Sequence, residues 1–182
     1  VYKGSLRLGS QEEEEEKEKE LKEEEYTQVA IKTVDLSMIE YEETVARSER
    51  EIRVLFMLRE YPHILQIHKA FKFKDTLIAC CEWLDGGSLL QFSKDLDDNN
   101  GHRNKEMPVS IVLAVVRQAL RALSTLHQLN MTHRDIKPAN IMLSSSSGVK
   151  LIDFGMTTAP CRHYIKHQHP CGTMAFMAPE MM

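Results

Sequence analysis

The sequence predicts an α+β fold of two lobes that share a cleft. Three observations carry that prediction. The first half alternates short β-rich runs with one long helical pattern, a glycine-rich break follows at Asp85-Gly86-Gly87-Ser88, and the chain beyond it turns helical. Its 182 residues suit one domain or two small lobes, and a chain of that size buries roughly 70% of its extended surface.

Val1 to Leu8 reads as the end of a strand, and Thr27 to Val34, β-rich and bounded by charge, as a second. From Met38 to Arg59 residues Val45, Ser48, Ile52, Leu55 and Leu58 recur every three or four positions, which predicts a helix. Tyr61-Pro62 ends it, because the residue before a proline is pushed out of the helical region. Leu65 to Phe71 and Thr76 to Trp83 read as two strands joined by a turn at Lys74-Asp75. After the break, a polar loop over Asp95 to Glu106 leads through Pro108 into a strong helix, Ser110 to Leu129. Its apolar face runs Val112, Val115 or Val116, Ala119, Leu123 and Leu126. Met131 to Asn140 is a loop, and Ile141 to Leu143 and Val149 to Ile152 are short strand pieces.

Apolar residues make up 42% and charged residues 27%, which excludes global disorder and a fibrous protein. The longest wholly apolar run is Ile111 to Val116, so no bilayer span is expected. The net charge of −4 hides an asymmetry: Gln11 to Glu25 hold ten Glu and three Lys, leaving the rest of the chain at +3. No basic stripe suggests nucleic acid. The acidic stretch, with Leu21 its one apolar residue, reads as a disordered insertion; an acidic docking site for a basic partner is the alternative. Cys80, Cys81, Cys161 and Cys171 form no CxxC pair, which points to free thiols in a reducing compartment, cytoplasmic or nuclear.

The chemistry-bearing residues form a pattern. Lys32 ends the apolar strand Val29-Ala30-Ile31, while Glu51 shares a helical stripe with Ser48, Leu55 and Leu58. A carboxylate on such a stripe is costly without a cation, and Lys32 is a plausible partner; a chance Glu at a helix edge is the plainer reading of that pair alone. His133-Arg134-Asp135-x-Lys137-x-x-Asn140 follows the long helix, and Asp153-Phe154-Gly155 follows a strand. Oxygen donors such as Asn140 and Asp153 suit Mg²⁺. Asp135 is then free to accept a hydroxyl proton, and Lys137 to neutralise a transferring group.

Taken in order, Val29-Ala30-Ile31-Lys32, Glu51, His133-Arg134-Asp135 through Asn140, Asp153-Phe154-Gly155 and Ala178-Pro179-Glu180 resemble the catalytic core of eukaryotic protein kinases. Lys137 and Gly172-Thr173 are similar to the serine/threonine-specific pattern. The resemblance implies a two-lobed kinase-like fold, with a β-rich small lobe carrying one helix and a mainly helical large lobe. It also implies an ATP-dependent transfer of the γ-phosphoryl group to protein Ser or Thr hydroxyls. Lys32, positioned by Glu51, would hold the α- and β-phosphates; Asn140 and Asp153 would bind Mg²⁺; Asp135 would be the catalytic base. Cys81 would be the gatekeeper, Glu82 and Leu84 the backbone contacts to adenine, and Val1, Ala30 and Met142 the apolar roof and floor. His133, Phe154 and Leu55 resemble internal spine residues.

The glycine-rich loop of that family is missing before Val1, and the chain stops two residues after Glu180. It is therefore expected to be a piece of a longer protein: a small lobe over 1–84 with an acidic insertion at 11–25, and the upper part of the large lobe over 85–182. The rivals are a catalytically inactive nucleotide-binding or scaffold fragment and a piece with no stable fold. Thr157, Thr158 and Tyr164 are the candidate phosphorylation sites of the segment after Asp153, and the run Cys161-x-His163-x-x-x-His167-x-His169-x-Cys171 reads as a flexible basic loop, with a Zn²⁺ site as the alternative.

Overall fold

Alternation along two strands builds the wall of the cleft. In the computed structural model, which describes residues 2–7, 26–38, 42–98, 107–158 and 172–179, β1 (Tyr2–Arg7), β2 (Tyr26–Asp35), β3 (Ile67–Phe73) and β4 (Thr76–Glu82) form one antiparallel sheet. The strand order is β1-β2-β4-β3. Central β2 pairs with β4 so that Ala30 faces Cys81, Lys32 faces Ala79 and Val34 faces Leu77. Because side chains alternate along a strand, these six share one face. Edge strand β3 buries only Ile67 and leaves Phe71 and Phe73 exposed.

Helix α1 (Glu42–Leu58) comes after a single 3-10 turn at Leu36–Met38, where the periodicity places the first helical residue. Val54, Leu55 and Leu58 are its buried stripe. The second lobe holds α2 (Leu89–Asp98), α3 (Val109–Gln128) and the hairpin of β5 (Ile141–Ser144) with β6 (Gly148–Leu151). One core runs through both lobes, from Val54, Leu58 and Ile67 to Leu126, Leu151 and Phe154. Leu58 is 0% exposed within it. Leu58→Ala is expected to cost about 2–5 kcal/mol, read as a lowered urea midpoint at unchanged slope.

One expectation changes. Helix α2 occupies residues read as the break's sequel and the start of a polar loop: Asp95 to Asp98 are helical. The signal was present as Ser88-x-x-Gln91, for the Ser88 hydroxyl accepts the Gln91 N–H at 3.1 Å, an N-terminal cap. Helix α3 is long and apolar enough to cross a membrane by length and composition alone. The expectation of no span considered only unbroken apolar runs, and Arg117 and Arg121 interrupt this one. Here α3 packs on the core through Val115, Ala122 and Leu126.

The link between lobes is clamped to the β5–β6 hairpin. Gly86 N–H donates to Leu143 O at 3.0 Å, and Leu143 N–H to Gly87 O at 2.8 Å. A Cβ on Gly86 would sit 2.8 Å from Leu143 O, so a side chain there would force the clamp open. Asp85 accepts the Ser145 N–H at 2.9 Å and also its hydroxyl. Val1, residues 11–25, Tyr164, the Cys161-to-Cys171 run and Glu180 lie outside the described residues.

Candidate active site

The shared face of β2 and β4 roofs a cleft of about 580 Å³. Ala30, Lys32, Glu51, Cys81, Glu82, Leu84, Asn140, Met142 and Asp153 all line it, so nine of the site residues singled out in the sequence converge there. Lys32 Nζ donates to Glu51 Oε2 at 2.5 Å. Glu51 is buried on the α1 stripe, and the lysine, 41% exposed, reaches from it into the cleft. Desolvation of this carboxylate is offset by the contact, which also fixes α1 against β2. Arg50, the preceding residue, donates to Gly155 O at 2.9 Å and so ties α1 to the turn after Asp153.

A second cluster lies on the large-lobe side. Asp135 borders an adjoining cavity of about 320 Å³ together with Lys32, Glu51, Asp153 and Thr173. Lys137 Nζ donates to Asp135 Oδ2 at 2.7 Å and to Thr173 Oγ1 at 2.9 Å. Thr173 in turn donates its N–H at 3.0 Å and its hydroxyl at 2.8 Å to Asp135 Oδ1. Asn140 Nδ2 reaches Asp135 O at 2.9 Å and Oδ2 at 3.0 Å. Lys137 lines neither cavity but bridges Asp135 and Thr173 at the edge of the smaller one. Burial opposes the charge on Asp135, but the hydrogen bonds from Lys137 and Thr173 outweigh it and hold the carboxyl below its usual range. Asp135 is thus ionised at neutral pH and aimed at the space beside Lys32.

Beneath it, His133 and Phe154 are fully buried and meet edge to face with ring centroids 5.0 Å apart. His133 Nδ1 accepts the Asp135 N–H at 3.3 Å and Nε2–H donates to Ile152 O at 3.0 Å, which sets one tautomer. Arg134 and Asp153 both adopt left-handed backbone, with φ of 69° and 63°. The Arg134 Nε–H donates to Met156 O at 2.6 Å, so this strained loop is braced against the segment after Asp153. Burial lowers the His133 pKa and keeps the imidazole neutral. On acidification the unfolded chain binds that proton first, so stability is expected to fall as pH drops through about 6.5. The Asp135 contribution persists to lower pH and disappears only as pH falls through its depressed folded value. Urea unfolding from pH 7.5 to 5.5 checks this: the loss should be smaller in His133→Phe, and an equal loss would contradict it.

Cys81 is buried, and its thiol is pushed up to about 12 by that burial and by the Glu51 charge, so it stays protonated. Trp83 also lines the cleft, and Lys3 Nζ stands 5.0 Å from its ring centre, joining β1 to the interlobe link. It is the chain's sole tryptophan. Its fluorescence is expected to change on titration with Mg²⁺–ATP, and Trp83→Phe to abolish the signal.

Asn140 and Asp153 supply oxygen donors to one cleft. That donor set fits Mg²⁺, which takes few protein ligands and completes its shell with water and phosphate. Of the candidate phosphorylation sites, Thr157 is 1% exposed with its hydroxyl buried, whereas Thr158 is partly exposed and its hydroxyl accepts the Thr132 N–H at 2.9 Å. Nothing local in the sequence marks Arg50, whereas Lys150 is signalled as a lysine between Val149 and Leu151 in an apolar strand.

Residues 18–182 match the protein kinase domain family. The chain is 30% identical over 154 residues to an Aurora kinase of Encephalitozoon cuniculi, covering 85% of this chain and 53% of the relative. It is 33% identical over 156 residues to CBL-interacting serine/threonine-protein kinase 7 of Arabidopsis thaliana (85% and 34%). Against serine/threonine-protein kinase PLK4 of Drosophila grimshawi the identity is 29% over 154 residues (85% and 19%). The chain thus spans about half the length of the first of these relatives and less of the other two.

Proposed function

Because this chain belongs to the protein kinase family, we propose that its cleft is the nucleotide site of an ATP- and Mg²⁺-dependent serine/threonine protein kinase. The observation that carries the reading is the Asp135–Lys137–Thr173 cluster beside the Lys32–Glu51 pair and Asp153. The adenine ring fits between Ala30 and Met142, against the backbone of Glu82 and Leu84. Lys32, held by Glu51, binds the α- and β-phosphates. Asn140 and Asp153 would hold Mg²⁺, which when bound neutralises phosphate charge.

Asp135 orients the substrate hydroxyl and accepts its proton as the oxygen bonds to the γ-phosphorus. The bond from that phosphorus to the β–γ bridging oxygen breaks, and ADP leaves. Lys137 offsets charge on the moving group, so catalysis rests on positioning and electrostatics. Serine and threonine preference is supported by the Lys137–Thr173 contact and by the names of the relatives. The free, buried thiols of Cys80 and Cys81 favour a reducing compartment.

The test is incubation with γ-labelled ATP, Mg²⁺ and a mixture of Ser-, Thr- and Tyr-containing peptides. Label on Ser and Thr is expected. Label confined to Tyr would overturn the specificity, and nucleotide binding with no transfer would favour the inactive, scaffold reading.

A further inference from the structure

The cleft floor and a buried cation share one side of the β5–β6 hairpin. Met142 lines the cleft and pairs directly with Lys150, so both side chains stand on the same face. Lys150 is 5% exposed at its side chain, and its Nζ lies 2.8 Å from Glu82 Oε1 across the lobe boundary. The same carboxylate oxygen accepts the Gln66 N–H at 2.8 Å, while the Glu82 N–H donates to Gln66 O at 2.9 Å. Gln66 is itself held, its Nε2 donating to Tyr61 O at 2.9 Å and Ile64 O at 2.8 Å. Around this knot the small-lobe segment runs alongside β6: Leu65 N–H donates to Leu151 O, and Leu151 N–H to His63 O.

A buried ion pair contributes little net stability compared with an apolar pair of similar volume. What it supplies here is geometry. Glu82 is the last residue of β4, directly before the link between the lobes, and it lines the cleft. Any tilt of that strand moves the adenine-facing backbone relative to Met142. We propose that Lys150 and Gln66 are positioning residues that act through Glu82 to fix this strand against the large lobe, and so set nucleotide affinity. The inference rests on the nucleotide reading of the cleft. The phosphate-handling groups Lys32, Asp135 and Lys137 do not touch the network, so affinity should move while turnover at saturating ATP does not.

The test is titration calorimetry with Mg²⁺–ADP, with thermal unfolding and ATP kinetics alongside, on the wild-type protein, Lys150→Met and Lys150→Met/Glu82→Gln. Lys150→Met leaves a half-buried carboxylate without its cation and should lose both stability and affinity, the latter by about fivefold. The double variant removes the stranded charge and should regain stability but keep the weakened affinity and raised KM, while kcat of Lys150→Met stays within about twofold of wild type. A double variant that binds as tightly as wild type would overturn the inference, because the pair would then be structural only. The same holds if kcat falls with KM unchanged. Wild-type protein that binds no nucleotide would remove the reading of the cleft itself, an outcome distinct from equal binding by all three proteins.

Discussion

Asp135→Asn is expected to lower kcat for phosphoryl transfer by about 10³-fold, the scale of a lost general base, with KM for ATP nearly unchanged. The carboxylate accepts bonds from Lys137 and Asn140 on one oxygen and from Thr173 twice on the other. An amide offers a single acceptor oxygen, and its NH₂ would face donors on the other side. Both proton acceptance and hydroxyl orientation are thus lost. The nucleotide-facing groups Ala30, Cys81 and Met142 lie in the main cleft, which Asp135 does not line. That separation is why affinity should survive. Steady-state kinetics decide: a variant that turns over at more than about a tenth of the wild-type rate would remove Asp135 from the chemistry.

Lys32→Met should cost about 10²- to 10³-fold in kcat/KM, the loss typical of one preorganised electrostatic contact. Lys32 is the one cation among the described residues lining the main cleft, which also holds Glu51, Glu82, Asp85 and Asp153. Among the described residues lining that cleft, a polyphosphate meets no other positive side chain. Methionine keeps the stem but strands Glu51 on its buried stripe, so unfolding must be measured in parallel. Glu51→Gln leaves the lysine charge in place and should cost less. Because the two act as one unit, the double variant should lose far less than the summed single losses. Additive losses would mean that Glu51 does not work through Lys32.

Contiguous motifs were the legible part of the site. Val29 to Lys32, His133 to Asn140 and Asp153 to Gly155 each lie within one strand or loop, so their spacing already reflects their geometry. The Lys32–Glu51 pair was legible for a different reason: a carboxylate on an apolar helical stripe demands a cation. Contacts across long sequence separations were not. Arg50 meets Gly155 105 residues away, and Lys150 meets Glu82 only because β6 and the segment before β3 lie side by side. No periodicity in either element encodes that neighbour. Helix α2 was missed although Ser88-x-x-Gln91 marked its start, since its polar composition after a glycine pair reads equally as loop. Thr157 shows the same limit, for nothing local announces that its hydroxyl is buried beneath the turn after Phe154.

The most direct test of the account is a crystal structure of the protein with Mg²⁺ and a non-hydrolysable ATP analogue. The α- and β-phosphate oxygens are expected within about 3 Å of Lys32 Nζ. The metal is expected on Asn140 and Asp153, adenine between Ala30 and Met142, and the γ-phosphate facing Asp135. A nucleotide whose phosphates lie away from Lys32, or a metal held without Asp153, would contradict it.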